Sequence, residues 1–274
     1  MRFYMKKKRP TGKKLSWNQK CKLCMVPFLM GTVLFTLLPF VRVIYYSFLK
    51  SQFRREFVWL DNYKRTWENE YFQLALRNSV FLIIKCVPVL IGLAIVISLL
   101  LVFVLNKNEI IRSAFVLPMV IPTASIVVVW KLFFAHWGNE LPLYLLFIWK
   151  NLGICVVLLM AEFSSIKKEL YEAAVLEGAP WWKIDIGITL PIAAPTILFT
   201  VLLSIMNSYK VFKESYLYYG TNYPPDYAYT LQYYMNNHFL KLNYQNLATS
   251  AVYTTVLSVV LICIGLRIVG RYRE

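Results

Sequence analysis

Long apolar runs separated by short polar segments dominate the chain. Six of these runs are about twenty residues long, which is the length that crosses a bilayer as an α-helix. They lie at 23–48, 80–105, 113–134, 143–162, 191–213 and 247–267. Several contain proline, which membrane helices tolerate because neighbouring groups satisfy the freed backbone atoms. The pattern predicts an all-α, polytopic membrane protein with six transmembrane helices.

The polar segments divide the chain into three parts. A basic tail covers 1–22, the first transmembrane helix and a long outer loop cover 23–79, and a core with the other five helices covers 80–274. Within that core we predict an ordered loop at 166–190 and a tyrosine-rich outer loop at 214–246. No internal repeat with a fixed period is visible.

Positive charge predicts the orientation of the chain. Lysines and arginines outside the spans divide 17 to 7 in favour of the side that carries both termini. The positive-inside rule makes that side cytoplasmic, although the loop at 49–79 is more basic than the rule prefers. The net charge of +16 is then explained by topology and lipid headgroups, so no nucleic-acid partner is expected.

Cysteine and histidine give no sign of a metal or redox site. Cys21 and Cys24 form a C-x-x-C pair, but neither a second pair nor a histidine cluster accompanies it. The two histidines, His136 and His238, have no partner at ligand spacing. We therefore predict no catalytic residue, no metal ligand and no cofactor-binding residue in this chain.

The segment from 166 to 189 is patterned as a helix, a turn and a second short helix. Gly178 is placed to end the first helix, as glycine does near a C-cap. Pro180 and the tryptophans at 181 and 182 begin the second helix, because proline is tolerated in a first turn. This segment is either an element that docks a partner or an amphipathic loop on the inner leaflet, with its tryptophans as anchors.

One long stretch within this segment carries a resemblance to a known family. The run "LYEAAVLEGAPWWKIDIGITLPIAAPTI", at 170–197, resembles the EAA loop of the permease subunits of ABC importers. "FVWLDNY" at 57–63 and "PMVIPTASIVVVWKLFF" at 118–134 are similar to parts of the carbohydrate permeases in that family. Because its third span contains a tryptophan, this chain resembles the subunit type of the larger maltose and glycerol-phosphate permease chains. The family's Gly-Gly-Pro after the fifth span is replaced here by "GTNYPP".

The resemblance implies a fold, a mechanism and a set of partners. The fold is the type I ABC importer permease fold with a cytoplasmic EAA coupling helix. The chain forms half of a pore in a bacterial cell membrane together with a second, homologous permease. An ABC ATPase dimer docks below and binds ATP and Mg²⁺, and an extracytoplasmic sugar-binding protein delivers the substrate. This agrees with the lack of a phosphate-binding G-x-x-x-x-G-K-[ST] loop, and the chain is then a transport subunit and not an enzyme.

The resemblance also implies two groups of site residues. The ATPase-coupling residues are Glu172, Ala173, Ala174, Glu177 (where the family usually has aspartate) and Gly178. The substrate-binding residues, on the fourth and fifth spans, are Asn151, Gly153, Ser204, Asn207, Ser208 and Val211. An alternative for the serines and asparagines is hydrogen bonding between helices.

Two other classes of function lack their signatures in the sequence. A secondary transporter or channel would show repeats or an intramembrane acid for ion coupling, and the only acid inside a predicted span is Glu162. An intramembrane enzyme would need a nucleophile with a base or a metal pair. No histidine lies in any predicted span.

Six basic residues nevertheless fall inside the predicted spans, all in the halves predicted to be outer, whereas Arg267, at the cytoplasmic end of the last span, is counted with the 17 cytoplasmic charges. The six are Arg42, Lys85, Lys131, Lys150, Lys210 and Lys213. Each side chain either snorkels to the headgroups, pairs with another subunit, or helps to form a basic outer vestibule that favours an anionic ligand.

Overall fold

The structure is a computed structural model that describes residues 17–51, 56–104 and 109–270. Within these ranges the chain is helical, and the only extended pairing is an isolated bridge between Leu49 and Phe57. Most of the predicted basic tail, Lys107 of the predicted 106–112 loop, and the arginines at 271 and 273 lie outside the described residues.

Thirteen α-helices follow one another along the described part of the chain. They are α1 (Trp17–Thr32), α2 (Leu38–Ser47), α3 (Asp61–Trp67), α4 (Glu70–Leu99), α5 (Glu109–Val120), α6 (Thr123–Phe134), α7 (Leu141–Ser165), α8 (Lys168–Leu176), α9 (Trp181–Ile184), α10 (Leu190–Tyr209), α11 (Phe212–Tyr219), α12 (Leu231–Leu240) and α13 (Tyr244–Gly270). Wider π-helical turns at Val33–Leu37, Leu100–Val104 and Asp185–Thr189 continue three of them.

Five helical stretches in the described residues are long and apolar enough to cross a membrane. They are Met25–Ser47, Glu70–Phe103, Leu141–Ser165, Trp181–Tyr219 and Tyr244–Arg267. These stretches coincide with five of the six predicted spans. The second one begins earlier than predicted because Asn69 caps it: its Oδ1 accepts a hydrogen bond from the Phe72 N–H at 3.1 Å, which satisfies a free donor of the first turn.

The prediction that 113–134 forms one continuous helix is wrong. The helix is interrupted at Ile121 and Pro122, which separate α5 from α6, and each of these helices has 12 residues. Proline has no N–H to donate and disfavours helical geometry in the residue before it. Pro118 is accommodated inside α5, so the break is specific to Pro122.

The fifth predicted span is longer than expected at both ends. The short helix α9 continues through the π-helical turn at Asp185–Thr189 into α10 without a break. A turn at Lys210 and Val211 then leads into α11, which ends at Gly220 in the left-handed conformation with φ of 69°. Consequently the predicted outer loop at 214–246 begins with a helix, and it contains α12 as well.

Helices α4, α7 and α10 form the centre of the bundle. Their facing side chains include Leu90, Ala94, Val156, Leu159 and Ala193, all fully buried. The small alanines allow close approach of the backbones, as is usual between membrane helices. By contrast, α1 and the π-helical turn that follows it present apolar side chains such as Phe28 and Phe35 to the outside of the chain.

Aromatic residues close one end of the bundle, which we call the aromatic end. Phe72, Tyr229, Tyr233 and Tyr234 pack there as a buried cluster. Asn78 of α4 ties the same end together by donating to the backbone oxygens of Asp226 and Tyr229, at 2.5 and 2.9 Å. The segment after α11 and the start of α4 are therefore held as one unit.

Two ion pairs join helices that are distant in sequence. Lys150 on α7 pairs with Glu214 on α11 and also donates to the Thr123 Oγ1 of α6 at 2.7 Å. Lys85 on α4 pairs with Glu140, just before α7, at 3.1 Å. The first pair is mostly buried, with side chains 21% and 12% exposed, whereas those of the second are 50% and 35% exposed.

This difference predicts unequal contributions of the two pairs to stability. Glu214→Gln leaves the Lys150 ammonium largely buried without a carboxylate, so we expect it to lower the free energy of unfolding by about 3 kcal/mol. Glu140→Gln removes a solvent-screened pair and should cost less than about 1 kcal/mol. Thermal and denaturant unfolding of the detergent-solubilised protein measures both values.

The double variant Lys150→Gln/Glu214→Gln serves as the control. It removes both charges, so its stability should lie above that of Glu214→Gln alone. Equal losses for Glu214→Gln and Glu140→Gln, or no recovery in the double variant, would contradict this account of the pair.

Candidate functional site

A cavity of about 430 Å³ opens between the helices beside the core. Its walls come from α5, α7, α10 and α11, together with Lys210 and Val211 in the turn between the last two helices. The lining residues are Met119, Leu143, Phe147, Lys150, Asn151, Ile154, Leu203, Asn207, Lys210, Val211 and Glu214. An apolar wall with a few polar groups grouped together is the usual composition of a small-molecule site.

A chain of hydrogen bonds runs along one wall of the cavity. Lys210 Nζ donates to Asn207 Oδ1 at 3.2 Å, and Asn207 Nδ2 donates to Asn151 Oδ1 at 3.0 Å. Asn151 Nδ2 in turn donates to the Phe147 backbone oxygen at 2.8 Å. These bonds link α10 to α7 through two amides. We call the side chains of Lys210, Asn207 and Asn151 the amide strip.

The ion pair of Lys150 and Glu214 lies in the wall of the same cavity. One Glu214 oxygen accepts from Lys150, while Oε2 is buried without a hydrogen-bond partner in the described residues. An ionisable residue inside an apolar bundle is costly unless it faces a partner or water. Lys150 satisfies this condition through Glu214 and Thr123.

Three of the six predicted substrate residues line this cavity, namely Asn151, Asn207 and Val211. Gly153 lines a separate pocket of about 180 Å³, next to Phe115, Pro118 and Trp149. The resemblance thus implies residues of which half line this cavity, and their role in substrate binding stays a prediction.

The remaining two predicted substrate residues point elsewhere. Ser204 Oγ donates to the Thr200 backbone oxygen at 2.7 Å, and Ser208 Oγ donates to the Ile205 backbone oxygen at 2.6 Å. Both serines are buried. Neither appears in the cavity wall, because each hydroxyl is bonded to the preceding turn of its own helix, as serines in membrane helices commonly are.

The charged residues of the cavity were absent from the predicted substrate set. Lys150, Lys210 and Glu214 line it, and their signal in the sequence was the presence of lysines inside apolar spans. The expected vestibule of six basic residues is reduced in this cavity to two lysines, one of which is paired. Glu162, the only acid inside a predicted span, accepts from Thr196 Oγ1 at 2.9 Å.

Residues 166–190, which we call the EAA loop after the resemblance described above, form the second candidate site. Helix α8 ends in a Schellman motif: the Gly178 N–H donates to the Val175 oxygen at 2.9 Å and the Ala179 N–H donates to the Ala174 oxygen at 3.0 Å. Gly178 has φ of 76°, a conformation that favours glycine. The expected termination of this helix at Gly178 is confirmed, and so is the second short helix that follows Pro180.

The predicted coupling residues face outwards from α8. Glu172, Ala173, Glu177 and Gly178 are exposed and Ala174 is half-buried. Leu176 on the same helix is 89% exposed. An exposed surface of small, apolar and acidic side chains on a short ordered helix is suited to contact with another protein.

The other side of α8 packs against the bundle. The Tyr171 ring contacts the Phe103 ring, with centroids 5.2 Å apart, and its hydroxyl lies 3.2 Å from Thr189 Oγ1. Burial raises the pKa of Tyr171, which keeps the hydroxyl protonated for that hydrogen bond. Tyr171 therefore fastens α8 to the π-helical turn that begins the α10 span.

No group of three or more histidine, cysteine, aspartate or glutamate side chains in the described ranges could hold a metal ion. The candidate sites in the described residues are a cavity between helices and an exposed helical loop.

Comparison with known proteins agrees with this arrangement. The family described as "Binding-protein-dependent transport system inner membrane component" matches residues 106–273. The arabinooligosaccharides transport system permease protein AraP of Bacillus subtilis is 28% identical over 96% of this chain and 88% of its own length. The lactose transport system permease protein LacF of Rhizobium radiobacter is 24% identical over 78% of this chain and 81% of its own.

A solved structure has the same fold. The crystal structure of a bacterial ABC transporter involved in the import of the acidic polysaccharide alginate matches with a TM-score of 0.75 and 20% identity, over 93% of this chain and 96% of that one. The family match covers more than half of the chain, and the helices are long and apolar enough for several membrane crossings. The chain therefore belongs to the family of binding-protein-dependent transport system inner membrane components and is a multi-pass membrane protein.

Proposed function

We propose that this chain is the permease subunit of an ATP-driven oligosaccharide importer and that the cavity beside α7 and α10 is its part of the sugar pathway. The observation that carries the proposal is the amide strip, a line of hydrogen-bonding groups in the wall of a cavity between apolar helices. Amides both donate and accept, as binding to sugar hydroxyls requires, and the apolar wall can contact the carbon face of a sugar ring.

The names of related proteins support a saccharide as the substrate. Relatives in the same family are named for the transport of arabinooligosaccharides, lactose and starch degradation products. A second solved structure of the same fold is the alginate transporter in complex with an alginate pentasaccharide-bound periplasmic protein. By analogy, a separate sugar-binding protein delivers the substrate to this chain.

The topology that we propose has six crossings, with both termini in the cytoplasm. Helices α5 and α6 together make the third crossing, broken at Pro122. The contacts between the segments predicted to be outer support this arrangement: Tyr218 donates to the Phe134 oxygen, and Asn78 of α4 binds residues 226 and 229. The aromatic end is then the outer end, and the EAA loop lies at the inner end.

Coupling to ATP follows from the continuity of the chain between the two sites. Helix α8 docks on a partner ATPase through Glu172, Ala173, Ala174, Glu177 and Gly178. Tyr171 fastens α8 to the π-helical turn at Asp185–Thr189, which runs directly into α10. A displacement of α8 is thus passed to α10, which carries Asn207 near its C-terminal end. The partner ATPases bind and hydrolyse ATP with Mg²⁺, and this chain needs no cofactor of its own.

The docking role of α8 is tested by changes at exposed positions. Glu172→Lys alters charge alone, whereas Gly178→Asp also strains the left-handed backbone that ends α8. For both we expect normal insertion into the membrane but at least about tenfold weaker ATPase binding, which corresponds to about 1.4 kcal/mol. ATPase pull-down and sugar-stimulated ATP hydrolysis with the reconstituted complex measure the effect.

Glu68→Lys is the matched control, since it makes the same charge reversal at an exposed position just before α4, on the proposed outer side. It should leave pull-down and stimulated hydrolysis at the wild-type level. Stimulated hydrolysis that is unchanged in both α8 variants would remove the basis for docking through this helix.

We also expect the chain to function only with a second, related permease. Apolar side chains such as Leu132, Phe133 and Val120 are exposed on α5 and α6. They form an apolar surface that a second permease can cover. The prediction is that co-expression with the ATPase alone gives no sugar uptake, and that adding the second permease restores it. Uptake by this permease and the ATPase alone, measured in vesicles, would show that one permease type is sufficient.

A further inference from the structure

The unused hydrogen-bonding capacity of the cavity is mainly that of donors. The Oδ1 atoms of Asn151 and Asn207 each accept one hydrogen bond within the amide strip and keep one lone pair for a ligand. The Glu214 carboxylate accepts from Lys150 with one oxygen, and its other oxygen is buried without a hydrogen-bond partner in the described residues. Each amide nitrogen and each ammonium has more protons than the hydrogen bonds it makes, so the free donors outnumber the free amide acceptors. A ligand rich in acceptors can therefore use more of this wall than one rich in donors.

The charges of the cavity are also unbalanced. Lys150 is compensated by Glu214, but Lys210 contacts only the neutral Asn207. No carboxylate of the described residues forms an ion pair with Lys210. Lys210 is exposed, so its ammonium is accessible both to water and to an anionic ligand that enters the cavity. The cavity thus offers one positive charge in excess.

The size of the excess charge selects the type of anion. A carboxylate carries a single negative charge, which matches one uncompensated ammonium, whereas a phosphate ester carries about −1.5 to −2 at neutral pH. The rest of the wall, formed by Met119, Leu143, Ile154 and Leu203, suits the carbon face of a sugar ring better than a second charge.

Building on the proposed function, we propose that the cavity selects oligosaccharides that carry carboxylate groups, and that Lys210 is the specificity-determining residue. Its ammonium binds the sugar carboxylate, while Asn207 and Asn151 donate to neighbouring hydroxyl or ring oxygens. Lys150 does not bind the anion, since Glu214 and Thr123 already hold it. Its role is to position α11 against α7.

The test compares two ligands with the same sugar skeleton, trigalacturonate and its neutral methyl ester. Binding to the complete importer in nanodiscs is measured by calorimetry at low and high salt. We expect the wild-type complex to prefer trigalacturonate, and to lose this preference at high salt. Lys210→Gln should weaken trigalacturonate binding about tenfold and leave the ester unchanged, whereas Lys210→Arg, which keeps the charge, should retain the preference.

Lys213→Gln is the matched control, because it removes an exposed lysine from the neighbouring helix at a position that does not line the cavity. It should behave as wild type. Equal weakening of both ligands by Lys210→Gln, or no preference in the wild type while both ligands bind, would overturn the inference and leave the proposed function standing. Failure of the wild-type complex to bind either ligand would count against a saccharide cavity itself, and with it against the inference.

Discussion

Polar groups inside an apolar bundle must find their partners within the protein, because the surrounding hydrocarbon offers none. In this chain the requirement is met across the gap between α7 and its neighbours. Asn151 binds Asn207 of α10, and Lys150 binds Glu214 of α11 and Thr123 of α6. These contacts hold α6, α10 and α11 against α7, and three of these four helices line the cavity. The same groups that keep the cavity open therefore determine which ligands it can accept.

The connection between the cavity and the EAA loop depends on an unbroken helix. From Trp181 to Tyr209 the backbone remains helical through a π-helical turn, a feature often found at functional positions. At one end Tyr171 fastens this helix to α8, and at the other it carries Asn207 into the cavity wall. A rigid element with one end at each site is a simple way to make the cavity respond to a partner bound at the loop.

Much of this architecture is readable from the sequence, and the exceptions have physical reasons. Apolar run lengths located five helical stretches correctly, and Gly178 ended its helix as its position indicated. Run length cannot show that Pro122 breaks the third span, because Pro118 in the same run does not. Ser204 and Ser208 have the spacing of a binding face, yet their hydroxyls bond to their own helix, an option open to any serine in a helix. Glu214 directly follows the fifth predicted span in the sequence, but its pairing with Lys150 depends on how α7 and α11 pack.

The central claim is that movement of the EAA loop reaches the cavity through the continuous helix from 181 to 209. The most direct measurement is the distance between spin labels on genetically encoded amino acids at Asn139, beside α7, and Lys213, on α11, both of which are exposed. It is made in the importer reconstituted with its partner permease and ATPase, with and without ATP. We expect ATP to shift this distance in the wild type, and Ile188→Pro, within the π-helical turn, to abolish the shift while ATPase binding persists. A shift of wild-type size in that variant would contradict this claim.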